Sequence, residues 1–184
     1  MTTTRPPPLL PSAVLGTLIF VIIEAMMFAG MISAYLIIQT SGIWPPPDQP
    51  RLPVEETAVN TAALMLSGVL LYVASRAYSR ERAAARTPLV LSILLGAFFV
   101  IFQGVEWVAL VDEGLTLTSS TLGSFFYLIV GMHALHAIVA LGFLVWALVR
   151  LQRRRLNRST FAAAQVFWYF VVGLWPILYW QVYL

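Results

Sequence analysis

Apolar residues along this chain gather into long unbroken runs. Five stretches, residues 13–39, 57–75, 88–111, 120–149 and 161–184, reach the ~20 apolar residues that a helix needs to cross a bilayer. A membrane β-barrel would alternate polar and apolar positions. These runs do not alternate, and a helix satisfies its own backbone in hydrocarbon. The predicted fold is therefore all-α, a polytopic membrane bundle of five transmembrane helices spanning residues 13–184, preceded by a short segment over residues 1–12. The first run is too long for a signal-peptide core of about 7–15 residues, and it follows Arg5 and three prolines, so it reads as a retained helix starting after Pro11.

Composition agrees with a lipid solvent. Residues of the AVILMFWYC set make up 60 % and charged residues 10 %, against about 25 % charged in soluble domains. A soluble enzyme, a nucleic-acid binder and a disordered tail are excluded. There is no Cys, hence no disulfide, thiolate metal site or cysteine nucleophile.

The net charge of +3 is set entirely by Arg on the basic side. Arg76, Arg80, Arg82 and Arg86 lie between the second and third runs; Arg150, Arg153, Arg154, Arg155 and Arg158 lie between the fourth and fifth. The other two loops hold Arg51 against Asp48, Glu55, Glu56, Asp112 and Glu113. Five-helix topology puts the two arginine loops on one side, and the positive-inside rule makes that side cytoplasmic, with the N-terminus inside and the C-terminus outside. Arg76, Arg80, Arg153 and Arg154 are candidate lipid-headgroup contacts, which leaves no role for nucleic acid. The first loop, Trp44-Pro45-Pro46-Pro47, reads as a stiff surface connection. Tyr179, Trp180 and Tyr183 read as an aromatic anchor at the outer end.

Ionisable groups at membrane depth are costly and face protein or water. Glu24 sits mid-helix in the first run, and His133 and His136, three apart, share one face of the fourth. At 1.5 Å per residue Glu24 is ~16 Å and His136 ~20 Å from the inner ends of their runs, so the two can meet if their helices pack. Glu106 shares a face with Gln103 and lies roughly 10 Å further out. Glu24 is expected to be protonated, paired or wet, with His136, His133 or the hydroxyl of Tyr169 as partner. These side chains suit interhelical hydrogen bonding, proton relay, or lipid-headgroup handling. Histidines three apart on one helix cannot take opposite axial positions on a haem, and a Glu with two His is a thin metal site. Small residues in the first helix (Ala29, Gly30, Ser33, Ala34) and the fourth (Ala137, Ala140, Gly142) allow close helix contact.

Several segments together resemble subunit III of the haem-copper terminal oxidases. Glu24-Ala25-Met26-Met27-Phe28-Ala29-Gly30 is similar to the family's membrane-embedded Ser-Glu-Val-Leu-Phe-Phe-Thr-Gly. Trp44-Pro45-Pro46 resembles its Trp-Pro-Pro loop, and Asn60-Thr61 with Leu64 and Ser67-Gly68 the start of its next helix. Gln103-Gly104-Val105-Glu106-Trp107 is similar to Gln-x-x-Glu-(Tyr/Trp). Gly123-Ser124 and Phe126, then Gly131-Met132-His133-Ala134-Leu135-His136, follow in the family's order. Each motif is weak alone; five in order are specific. The family's Trp-His-Phe-Val-Asp-x-x-Trp reads here Trp168-Tyr169-Phe170-Val171-Val172-Gly173-Leu174-Trp175, so roles of that His and Asp do not transfer to Tyr169 and Val172. The seven-helix family form would begin two helices earlier than this chain.

The resemblance implies a non-catalytic subunit III of a respiratory haem-copper oxidase in a bacterial inner membrane. It would carry no cofactor of its own, the haems and copper residing in subunits I and II. It would pack on subunit I, bind phospholipid, support proton uptake linked to proton translocation, and take part in a larger respiratory supercomplex. An accessory subunit of a nitric oxide reductase is the alternative within the same fold. A small proton-coupled transporter is a different class; it would be expected to show broken helices or paired repeats, and the last four helices hold only Pro88 and Pro176.

The arginine asymmetry predicts that a reporter active only outside the inner membrane works when fused after Leu184 and is silent when fused between Arg82 and Pro88. The reverse pattern would sink the assigned orientation.

Overall fold

The structure, a computed structural model, describes residues 10–40 and 52–183. The loop motif Trp44-Pro45-Pro46, Arg51 and most of the 1–12 segment lie outside the described residues. Five helices form the fold: α1 (Ser12–Thr40), α2 (Val54–Arg80), α3 (Arg86–Asp112), α4 (Thr121–Gln152) and α5 (Arg158–Leu178), the last running into a π-helical turn, Tyr179–Tyr183. All five spans are long and apolar enough to cross a membrane, and no strand occurs among the described residues.

The helices overrun the apolar runs that announced them, because their polar ends are helix-compatible. α2 gains Glu55 and Glu56 in its first turn and Arg80 in its last, each opposing the local end of the helix dipole. Pro88 falls in the first turn of α3, where its missing N–H has no partner to lose. Ser120 caps α4 by accepting from Gly123 N at 3.0 Å, and Asn157 caps α5 by accepting from Thr160 N at 2.7 Å. After α3 the chain turns through Gly114 at φ +93°, with Leu115 N donating to Leu110 O at 2.9 Å. This is the left-handed stop that glycine favours. α4 stops the same way through Arg154 at φ 55°, with Arg155 N donating to Arg150 O at 2.8 Å.

α5 is the hub. Its Phe161, Ala164, Trp168, Val171, Trp175 and Leu178 are buried, and it packs on α4, α1 and α2, while α2 and α3 make the most extensive pair. Polar side chains sew these helices together. Ser67 and Ser92 each donate to the other's carbonyl at 2.9 Å, and Trp168 Nε1 donates to Ser67 Oγ at 3.0 Å. Trp175 Nε1 donates to Thr61 Oγ1 at 2.8 Å, and Tyr78 OH to Leu156 O at 2.8 Å. Between lipid-facing helices such bonds hold a register that apolar contact alone does not fix.

α1 is the most loosely held helix. Its buried residues are Val14, Phe28 and Tyr35, with Val21 packed beside them, a seven-residue spacing that makes one narrow seam. Of the small residues expected at contacts, Ala137 and Ala140 are buried, whereas Ala29, Gly30, Ser33, Ala34 and Gly142 face outward. The close approaches are elsewhere, at Gly68 against Val172 and Gly96 against Trp168. The outer aromatic group also divides. Trp180 is exposed, but the π turn swings Tyr183 inward to burial; with Pro176 in the preceding turn, α5 lacks one backbone donor and does not end as a regular α-helix.

A methyl group at Gly96 would lie 2.6 Å from the Trp168 ring. Gly96→Ala is therefore expected to destabilise by about 1–3 kcal/mol, while Gly142→Ala, where a Cβ meets nothing within 4 Å, is neutral. Thermal melts of the detergent-purified protein compare the two.

Candidate functional site

The mid-membrane polar residues predicted from depth do come together. Glu24 on α1 meets His136 on α4, Oε2 to Nε2, at 3.0 Å. On its other side His136 Nδ1 lies 2.7 Å from Met132 O. A carbonyl only accepts, so the proton on Nδ1 is fixed there. The second nitrogen then faces Glu24 in one of two ways. A neutral imidazole accepts from a carboxylic acid, or an imidazolium donates to a carboxylate. Either way the pair has zero net charge, the form that a low-dielectric surrounding tolerates.

That surrounding is aromatic. Phe20 stacks on the His136 ring at 6.4 Å, and Phe28, Phe167 and Phe170 present edges at 5.5, 6.2 and 6.3 Å. The side chains of His136 and Glu24 keep 10 % and 17 % exposure, and what they are exposed to is a groove. It has a volume of about 840 Å³ and runs between α1, α4 and α5, walled by Gly16, Phe20, Leu135, Val139, Phe143 and Phe167. It begins at Ser12 and Thr160, at the arginine end of the bundle, and reaches Glu24, His136 and Met27. From residue 12 to residue 27 a helix climbs ~22 Å, so the groove spans one leaflet and ends at the pair. Arg150 lies over the Trp146 ring, 4.5 Å from its centre, and Trp146 lines the groove near its open end.

His133 does not join this pair. It is fully buried, its ring enclosed by Phe28, Phe99 and Trp175. The Tyr169 hydroxyl, also considered for Glu24, is buried with no hydrogen-bond partner among the described residues. Glu106 belongs to a second cluster nearer the end of the bundle opposite the arginines. It contacts Thr57 Oγ1 at 3.2 Å and accepts from Gln103 Nε2 at 3.1 Å, and Gln103 Nε2 also donates to Tyr183 OH at 3.1 Å. Thr57 and Tyr183 were not foreseen there. Thr57 beside Glu55 and Glu56 reads as a solvated helix start, and Tyr183 reads as part of the aromatic anchor, so neither pattern signals a partner for Glu106.

Among the candidate headgroup residues, Arg76 lies over Tyr72 at 5.5 Å, Arg80 ends α2, and Arg153 and Arg154 close α4. All four are exposed at the same end of the bundle. Arg150 was missed as a candidate, although Trp and Arg four apart on a helix signal such stacking. Among the described residues no three of His, Asp and Glu come together in a way that would hold a metal ion. The site's chemistry is that of a neutral hydrogen-bonded pair at the end of an apolar channel.

Replacing Glu24 separates its roles. Glu24→Gln keeps a donor for His136 Nε2, so assembly and turnover of the host complex are expected to survive. Glu24→Leu leaves the imidazole unpaired and should cost about 1–3 kcal/mol in a thermal melt. Loss of turnover in a normally assembled Glu24→Gln complex would instead mark the pair as a proton-exchanging group.

Comparison with known proteins places this geometry in context. Residues 10–184 match the family described as Cytochrome c oxidase subunit III. A probable cytochrome c oxidase subunit 3 of Nocardia farcinica is 34 % identical over 176 residues, covering 91 % of this chain and 85 % of the relative. Cytochrome c oxidase subunit 3 of Gadus morhua is 32 % identical over 96 % of this chain and 71 % of its own length. That of Pelomedusa subrufa is 31 % identical over 91 % and 67 %.

Proposed function

The chain belongs to the cytochrome c oxidase subunit III family, and we propose that it serves as the non-catalytic subunit III of a haem-copper oxidase in a bacterial inner membrane. In this reading the redox metals sit in subunits I and II. This chain packs on subunit I, steadies it during turnover and supports its proton uptake. The assembly as a whole, alone or within a supercomplex, passes electrons to oxygen and translocates protons. The N-terminus is inside and the C-terminus outside, a reading supported by nine arginines at one end of the bundle.

The observation that carries the role of the subunit itself is the groove. A cleft of about 840 Å³ with apolar walls, open to the bilayer and as long as a leaflet is thick, suits an acyl chain. Trp146 at its mouth carries Arg150 stacked on its ring, with Arg153 and Arg154 following at the same end of α4, and their guanidinium groups suit a phosphate. Its deep end meets a polar pair that is already paired and uncharged, so a hydrocarbon tail can lie against it without stranding a charge. In this reading phospholipid is a structural ligand. It fills a wall that protein does not supply and thereby holds α1 against α4 and α5.

Gly16 gives the test. It lines the groove, and a Cβ there meets nothing within 4 Å, so Gly16→Leu starts its side chain in open space within the groove. The variant oxidase is expected to assemble with subunits I and II and to carry about one phospholipid fewer by mass spectrometry of the intact complex. Its catalytic lifetime should be shorter. Unchanged lipid content would overturn the assignment of the groove.

A further inference from the structure

Three buried polar side chains on three helices point unpaired atoms into the centre of the bundle. Asn60 on α2, Gln103 on α3 and His133 on α4 are 0 %, 2 % and 0 % exposed. Asn60 Oδ1, Gln103 Oε1 and both ring nitrogens of His133 have no hydrogen-bond partner among the described residues. Buried polar groups without partners are costly, and four such atoms in one core call for a common explanation.

The Asn60 orientation is fixed by what its other end does. Asn60 Nδ2 donates to Phe99 O at 3.2 Å. Exchanging the amide nitrogen and oxygen would set two acceptors face to face, so Oδ1 points away from Phe99. Gln103 Nε2 spends its hydrogens on Glu106 Oε2 and Tyr183 OH, both at 3.1 Å, which leaves Oε1 outstanding. A flip of the Asn60 amide does not rescue both ends.

The groups surround one indole. The Trp175 ring is 4.9 Å from the His133 ring and 6.2 Å from the Tyr183 ring, and Tyr183 OH is the acceptor for Gln103. Trp175 Nε1 donates at 2.8 Å to Thr61, the residue after Asn60. Phe99, whose carbonyl holds Asn60, is 4.9 Å from Trp175 and 6.2 Å from His133. The Asn60 and Gln103 amides and the His133 imidazole thus border one aromatic cluster around Trp175. The three side chains contribute no carboxylate, so a neutral donor of hydrogen bonds suits them better than a metal ion.

We propose that Asn60, Gln103 and His133 enclose ordered water that links the cluster of Glu106, Thr57 and Tyr183 to His133 on α4. Water supplies two donors for the amide oxygens and an acceptor or donor for the imidazole, and buried water characteristically satisfies polar groups that protein leaves unpaired. His133 stands one turn from His136 on the same helix. The hydrated site therefore extends hydrogen-bonding groups from Glu106 through Gln103 as far as His133, where apolar packing would end them.

A map of the assembled oxidase sharp enough to show ordered water tests this. At least one peak is expected within about 2.7–3.2 Å of Asn60 Oδ1 and within reach of His133 or Gln103 Oε1. The same map of Asn60→Leu should lose that peak. The proposal is overturned if the wild-type site is dry with the side chains as described, if the two amide oxygens pair directly with protein donors, or if the peak persists in Asn60→Leu. Should Asn60→Leu fail to assemble, the wild-type map decides alone.

Discussion

Between helices in lipid, apolar packing gives little preference for one face over another, because hydrocarbon tails are as apolar as leucine. What distinguishes one face is the few groups that lipid cannot satisfy. In this bundle those groups set the arrangement. Ser67, Ser92 and Trp168 tie α2, α3 and α5 together, Trp175 and Thr61 repeat the link nearer the outer end, and Glu24 with His136 holds α1 to α4. Glycine appears where these links bring helices too close for any side chain, as at Gly96 under Trp168. α1 carries few such groups and is correspondingly the helix with the thinnest buried seam.

The number and class of elements were legible from run length, and so was the depth match between Glu24 and His136, because rise per residue is nearly constant. Helix ends were less so: hydropathy reports the hydrocarbon, while helices such as α2 continue beyond it on Glu55, Glu56 and Arg80. Rotation about each axis was the least legible. In α1 only Glu24, one turn before Phe28, marks the inward face; hydropathy alone does not separate Val14, Phe28 and Tyr35 from Ala29 and Gly30. The partnership of Thr57 with Glu106 joins residues 49 apart and needs both rotations at once. Tyr183 faces inward where the chain passes Pro176 and widens into a π turn, a local event that periodicity does not encode.

The two polar clusters differ in kind although each contains an acid. Glu106 is held by neutral donors in a nearly closed interior. Glu24 is held by a titratable partner at the rim of an open groove. The first arrangement ties the outer ends of α2, α3 and the C-terminal turn. The second closes a boundary between protein and lipid. Shared family motifs supply both, and the contrast arises from which helices supply the neighbours.

The neutrality of the Glu24–His136 pair has an electrical consequence. Its two atoms are 3.0 Å apart, so a proton passing between them crosses at most about a tenth of a ~30 Å core. A voltage of 100 mV acts on a full crossing with ~2.3 kcal/mol and on this short step with no more than ~0.2 kcal/mol, below thermal energy. An acid and a base can thus sit midway along membrane-spanning helices without their proton placement reporting a membrane potential.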